Sequence, residues 1–376
     1  TSAKRTVQAG IDTAASLGGE VWVKAGTYCE RIVLRRFAHV YGGFAGTEGS
    51  MSERDSREKV TILDGEQRGS VITAEFLGYR LSTVDGFTIK NGDSSNGGGI
   101  RCSHSSPRIA NNKITANTAS YGGGIYCNDY SLPSIENNII TANTAATGGG
   151  VCCHSSPVTI ANNMFTGNSA SGSGGGIYCY CIADIMSNVF TGNRAFRGGG
   201  IYSSGDGTIA GNTIARNIAS DNGGGIYCSD FPPTITNTIV AGNSSGIWLR
   251  SSGAATLQYN CVFGNTTYNY SGITDPTGKN GNIRVNPQFV RSASPGSDGQ
   301  WGTADDDYGD LRLQAGSPCI DAGDNTAVPA DTLDLDGDGD FVEPIPFDLA
   351  GKLRFFDVPF VADTGFGMPP IVDMGA

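Results

Sequence analysis

Gly122-Gly123-Gly124-Ile125-Tyr126-Cys127, followed closely by Ser134-Ile135-Glu136 and by Asn138-Ile139-Ile140-Thr141-Ala142-Asn143, decides the fold. Apolar and polar residues alternate in short runs broken by Gly, Pro or Asn, which is the period of a strand and not of a helix. Ile125 and Cys127 therefore face one way and Tyr126 the other. The stretch recurs along the chain. Gly-Gly-Gly-(Ile/Val) begins at Gly97, Gly122, Gly148, Gly174, Gly198 and Gly223, at spacings of 25, 26, 26, 24 and 25 residues. A degenerate copy, Ser245-Gly246-Ile247-Trp248, follows them, and Val84 to Asn91 reads as an earlier, divergent one. A fixed period of this size marks a solenoid built of stacked supersecondary units.

Aligning the copies predicts what faces inward. Cys102, Cys127, Cys153, Cys179 and Cys228 share one position, with Ser203 as the exception. A second inward ladder reads Ile109, Ile135, Ile160, Ile185, Ile209, Ile235 and Leu257. A third reads Ile114, Ile140, Phe165, Phe190, Ile214, Ile239 and Phe263. Three ladders per coil imply three short strands around a shared core. Between them runs Asn-x-(apolar)-x-x-Asn, from Asn112, Asn138, Asn163, Asn188, Asn212 and Asn260 to Asn117, Asn143, Asn168, Asn193, Asn217 and Asn265. The copy from Asn237 to Asn243 has one extra residue. Parallel strands stack at ~4.8 Å, so equivalent asparagines touch and bond up and down a column. Glycines at the opposite corner supply positive φ and close backbone approach.

Composition agrees with an array of tight turns: 56 of 376 residues are Gly and only 16% are charged. The net charge of −11 is an average over two unlike regions. Residues 297–376 hold 17 of the 36 acids and 3 of the 25 bases, leaving 22 bases against 19 acids in residues 1–296. No basic run suits nucleic acid, and no apolar run is long enough to span a membrane. The start at Thr1, without signal-peptide character, reads as that of a trimmed mature protein or a piece of a longer one.

The triple glycines and the Phe-x-x-Asn elements (Phe165 to Asn168, Phe190 to Asn193) resemble the GGA(I/L/V) and FxxN repeats of polymorphic outer-membrane proteins. More broadly the chain is similar to the pectate-lyase-like superfamily. Thr6 to Ile11, leading into Gly19 to Tyr28, resembles the capping helix and first strand of that superfamily, and Thr61-Ile62-Leu63-Asp64-Gly65 another of its coil elements. The resemblance implies an all-β, right-handed parallel β-helix over residues 1–290. Its N-terminal cap takes about 1–30 and its regular coils about 84–265, with an irregular acidic C-terminal cap or tail over 291–376 packing on the helix. Secretion or display at a bacterial cell surface follows from the same likeness. Fold alone does not choose among the lyases, hydrolases, epimerases, adhesins and scaffolds that share it.

Three features are candidate sites. The outward position after each glycine corner reads Arg101, Tyr126, Cys152, Tyr178, Tyr202, Tyr227 and Trp248. Such a ring column can stack on sugar rings or an apolar partner; it can equally stabilise the sheet by like-on-like stacking, or lie beneath the tail. The second feature is Asp334-x-Asp336-x-Asp338-Gly339-Asp340, which opens like a calcium loop but has Ile345 where the bidentate Glu belongs; Glu343 or Asp348 is the substitute, and a structural Ca2+ the expected ion. Asp298, Asp305, Asp306 and Asp307 form a second acidic group. The third is Asp206 and Asp230, outward on adjacent coils, with Arg101, Arg197 and Arg250 as nearby cations. Two carboxylates of this kind would serve a glycosidase, or a lyase with a neutralising cation. The Asn-Thr-Asp, Gly-His-Gly and Arg-Ile-Lys elements of polygalacturonases are absent, as is the acidic calcium cluster with catalytic Arg of pectate lyases. His104 and His154, in matching Ser-Ser-Pro corners, read as turn chemistry.

Ten cysteines in an extracellular chain invite disulfides, yet five of them need only be small and apolar, so the reading favours mostly free, buried thiols. Coils from 97 to 265 carry almost no insertions. That regularity points to an extracellular scaffold or adhesin binding a polysaccharide or another protein surface. A polysaccharide lyase or glycoside hydrolase is the alternative.

Overall fold

A computed structural model describes residues 3–250, 255–333, 335–336, 338–359 and 361–376. The chain is an all-β parallel solenoid. One short helix, Val7–Leu17, opens it: Thr6 caps the helix by accepting from the Ala9 N–H, and Val7, Ile11 and Ala14 bury its inner face over the first coil. In a regular coil the chain runs through Ile125–Asn128, Ser134–Glu136, Ile139–Thr141 and Thr144–Thr147. The first two strands of a regular coil belong to one long sheet and the third to a second; the fourth strands, from Asp93–Asn96 to Ile218–Ala219, form a third sheet of six. The second sheet runs strictly in chain order from Gly26–Tyr28 to Cys261–Phe263.

The triple glycine is required at each position for its own reason. Gly122 has φ +64, and a Cβ on Gly123 would stand 2.6 Å from the Gly149 carbonyl oxygen of the next coil. Without side chains the corners bond in register, Gly98 N–H to the Gly122 carbonyl and Gly99 N–H to the Gly123 carbonyl, both at 3.1 Å.

Register confirms the first two inward ladders: Cys127 lies between Cys102 and Cys153, Cys179 pairs with Ser203, and Ile135 lies between Ile109 and Ile160. The third ladder holds as far as Ile214 and then shifts. Ile214 pairs with Val240 and Val240 with Val262, so Val240 and Val262 face inward where Ile239 and Phe263 were expected. The cause is that Asn237 stands one residue before the column position, whereas Thr238 to Asn243 keeps the five-residue spacing of the other coils; Val262, like Ile114, lies two residues after its asparagine. Thr238, and not Asn237, takes the asparagine's place: its Oγ1 accepts from the Asn212 N–H, and its own N–H donates to Asn260 Oδ1. Ile239 then faces outward and is nevertheless fully buried, against Cys319, Ala322 and Met374 of the C-terminal region.

The fourth strand is an addition to the expected three. Its inward column is Ala119, Ala145 and Ala170, paired coil to coil, with Ala195 and Ala219 paired further on. Alanine leaves a weak hydrophobic signature, so the alternation is hard to see in the sequence.

The C-terminal region lies along the outward face of the second sheet and its corner with the long sheet. Trp301 covers Gly192, Tyr308 stands by Gly167, and Leu333 and Ile345 pack on Ala161 and Met186. Arg354 donates to Ser187 Oγ at 2.9 Å, and Asn237 exchanges two hydrogen bonds with the Asp324 backbone. Outward residues of the second sheet accordingly change from exposed at Lys113 and Ile139 to buried at Val189, Thr213 and Ile239.

Candidate functional site

Because the inward Cys and Ile fix each strand's facing, the residues between them form a column on the outside of the long sheet. Arg101, Tyr126, Cys152, Tyr178, Tyr202, Tyr227 and Trp248 are successive register partners. Four of the rings stack without a break: Tyr178 on Tyr202 at 4.8 Å, Tyr202 on Tyr227 at 4.9 Å and Tyr227 on Trp248 at 4.3 Å. Cys152, buried, interrupts the column before Tyr126, and Arg101 ends it in an ion pair with Glu75 at 2.7 Å. Arg197 lies 5.6 Å above the Tyr227 ring and is held there by Asp221 at 2.6 Å. Burial pushes the Tyr126 phenol up to about 12 and raises those of Tyr178 and Tyr227, so these hydroxyls stay protonated donors at neutral pH. The neighbouring rings and Arg197 cover the column, leaving Tyr227 buried and Tyr178, Tyr202 and Trp248 half-buried.

A second line, missed in the sequence, runs beside it at the turn between the two strands of the long sheet. Phe76, Tyr130, Tyr180 and Phe231 are 74, 80, 50 and 65% exposed, which no core role explains. His104 stacks on Phe76 at 4.8 Å and His154 on Tyr180 at 5.4 Å, so both histidines belong to this ridge as well as to their turns. Tyr178 and Tyr180 share one strand and point the same way, which sets the ridge about 7 Å from the stacked column. The signal that could have found it is a recurring Asp-aromatic pair, Asp129-Tyr130 and Asp230-Phe231, in otherwise polar turns.

The carboxylates on this ridge are hydrogen-bonded by serines of the preceding coil. Ser103 Oγ donates to Asp129 at 2.9 Å and Ser204 Oγ to Asp230 at 2.8 Å. Asp206 is exposed in the tight turn between Gly205 and Gly207, one coil before Asp230. Of the three expected cations, Arg250 reaches Asp230 at 3.9 Å, while Arg101 and Arg197 are engaged by Glu75 and Asp221.

Of the acidic loop, Asp334 lies outside the described residues. Asp336 comes together with Asp331 and Glu343, one carboxylate oxygen of each within 4.8 Å of the others. Asp338 and Asp340 turn instead onto backbone, accepting from the N–H groups of Asp340 and Val342 at 2.7 and 2.9 Å. In the other acidic group Asp305 accepts from Ser297 and Thr303 and Asp306 from Gly302, so these carboxylates shape a turn. All ten thiols are free.

Residues 56–194 match the family model of a right-handed β-helix region. Residues 166–301 match that of NosD, the periplasmic copper-binding protein. No curated protein and no solved structure matches the chain. With the register described above, the chain is an all-β parallel solenoid, similar over residues 56–194 to the right-handed β-helix family.

Proposed function

We propose that this β-helix is an extracellular or periplasmic binding module whose long-sheet face recognises a polysaccharide. The observation that carries the reading is the exposed ridge of Phe76, Tyr130, Tyr180 and Phe231 running parallel to the stacked column from Tyr178 to Trp248. Stacked rings spend their faces on each other and keep their edges and hydroxyls outward. On the ridge a histidine stacks on Phe76 and another on Tyr180, while Tyr130 and Phe231 are 80 and 65% exposed, and an exposed aromatic face is what an apolar sugar face packs on. Asp129, Asp230, His104 and Arg250 stand among them as hydrogen-bonding groups for hydroxyls. The four ridge rings come from every second coil, so they recur along the axis at about twice the ~4.8 Å rise of one coil, which suits a polymer better than a small molecule.

The acidic groupings do not suit copper. The stretch matching the copper-binding family contains no histidine. Among the described residues, both groupings of three possible ligands are made of carboxylates alone, whereas copper favours nitrogen and sulfur. A hard cation such as Ca2+ at Asp331, Asp336 and Glu343 would act as a staple within the C-terminal region, distant in sequence from the ridge.

The test is affinity electrophoresis of the whole protein through gels containing single polysaccharides, beside a Y130A/F231A variant. Retardation by one polysaccharide that disappears in the variant is the expected result. Retardation that survives in the variant, or none across neutral and uronate polymers, would sink the reading. The same incubations are assayed for new reducing ends and unsaturated products. Product formed by the wild type and lost in D230N would replace binding with hydrolase or lyase chemistry at Asp206 and Asp230.

A further inference from the structure

Asp321 is fully buried, and neither of its carboxylate oxygens makes a hydrogen bond of ordinary geometry. Its backbone, by contrast, is firmly held. The Asp321 N–H donates to Asp373 Oδ1 at 2.9 Å, and its carbonyl accepts from the N–H groups of Thr364 and Gly365 at 2.9 and 3.0 Å. With φ at +50, this clamped backbone presents the side chain to Asp357 and Asp363, both exposed. One oxygen from each of the three carboxylates lies within 4.8 Å of the other two. Burial, and then the charges of Asp363 and Asp357, hold the Asp321 carboxyl above its ordinary range, and the nearby Val358 N–H offsets only part of this.

An ionised carboxylate buried without a partner is costly, and two further carboxylates beside it add repulsion. The arrangement makes sense around a cation. Two oxygens each ~2.4 Å from one ion stand at most ~4.8 Å apart, and the three carboxylates meet that limit. An all-oxygen set, part buried and part open to water, suits calcium, which tolerates irregular coordination completed by solvent. We propose that Asp321, Asp357 and Asp363 bind one calcium ion that ties Asp357 and Asp363 to segment 319–325. That segment is the centre of the C-terminal cap. Gly323 donates to the Val372 carbonyl and receives from Phe366, Met374 donates to the Cys319 carbonyl, and Cys319 and Met374 pack on Ile239 and Cys261 of the last coils. The ion therefore holds the cap on the solenoid.

The test uses the full chain, stripped of metal with chelator and titrated with calcium chloride by calorimetry to about 10 mM, beyond the weak end of extracellular sites. D357N/D363N, altered only at exposed positions, loses one equivalent of bound calcium. D336N/E343Q, altered in the other acidic grouping, keeps it. D321N removes the repulsion as well as the ligand: it melts above wild type in chelator and shows no calcium-dependent rise in Tm. Stoichiometry and affinity unchanged in D357N/D363N would overturn the site. So would the absence of calcium uptake by wild type, or a D321N that melts like wild type in both buffers.

Discussion

Asn168 shows how much one side chain does in this fold. It is fully buried. Its Nδ2 donates to the Ile140 carbonyl at 2.8 Å and to Asn193 Oδ1 at 3.0 Å, while its Oδ1 accepts from the Asn143 N–H and Nδ2 at 3.1 and 3.0 Å. Truncation strands a buried carbonyl and a buried N–H, each about 1–3 kcal/mol. N168A is therefore expected to destabilise the protein by about 3 kcal/mol, read as a lower urea midpoint at unchanged slope. The chain carries its own milder variant in Thr238, whose hydroxyl accepts from the Asn212 N–H at 3.3 Å and donates to the Thr236 carbonyl at 2.9 Å. N168T should thus fall between wild type and N168A. Equal midpoints for the two variants would mean that the column fills space and does not satisfy polar groups. The asparagine column was legible in the sequence because its chemistry repeats. The one position misread, Asn237 for Thr238, lies where Thr replaces the asparagine and an Asn stands immediately before it, two alignments that register separates.

At the level of elements, legibility tracked periodicity. Corners and ladders repeat and could be read; the C-terminal region does not repeat, so its docking on the second sheet could not. The turn from Ser297 to Tyr308 is an example. Its acids look like metal ligands in the sequence, but Asp305 accepts from Ser297 N–H and Oγ at 2.7 and 2.8 Å and from Thr303 Oγ1 at 2.8 Å. These bonds, those of the Ser297 and Thr303 hydroxyls first, hold its carboxyl down at about 2. The turn they shape lays Trp301, stacked with Tyr308 at 5.7 Å, over Gly192, where a Cβ would stand 2.6 Å from the ring. A carboxyl held below its unfolded value of about 3.9 contributes fully above that pH and loses its contribution as pH falls toward 2. Trp301 fluorescence, isolated in a W22F/W248F background, should therefore shift to the red between about pH 4 and 2. Asp310, held down at about 2 by Arg312, titrates in the same window. D305N separates them: with Asp305 responsible, its emission is already shifted at pH 7, and an unshifted spectrum there would assign the transition elsewhere.

The solenoid is built round one long core, with smaller clusters where the C-terminal region docks, and the cysteines report on both. Cys102, Cys127, Cys153, Cys179 and Cys228 belong to the same apolar cluster as the ladder isoleucines, and Cys152 is buried on the outer face. Cys261 and Cys319 sit together where the last coils meet the C-terminal cap. Only Cys29 is exposed and Cys181 half-buried. Burial pushes the Cys152 and Cys228 thiols up, which slows their reaction further. Stacked coils gain stability from their neighbours, so opening an interior coil costs the interfaces on both sides of it, while an end coil costs one. The C-terminal end is capped, and that cap should bring Cys261 and Cys319 close to the protection of the middle. A thiol reagent added to the reduced native protein is therefore expected to label Cys29 and Cys181 quickly. The eight buried thiols should follow in a single slow phase that quickens with urea as global unfolding does. Peptide mapping of partly labelled protein decides between two mechanisms. Equal labelling of Cys153 and Cys261 means that the cap and coils open as one cooperative body. Early labelling of Cys261 and Cys319, with Cys153 still protected, means that the solenoid frays from its C-terminal end and that the cap is the weaker interface.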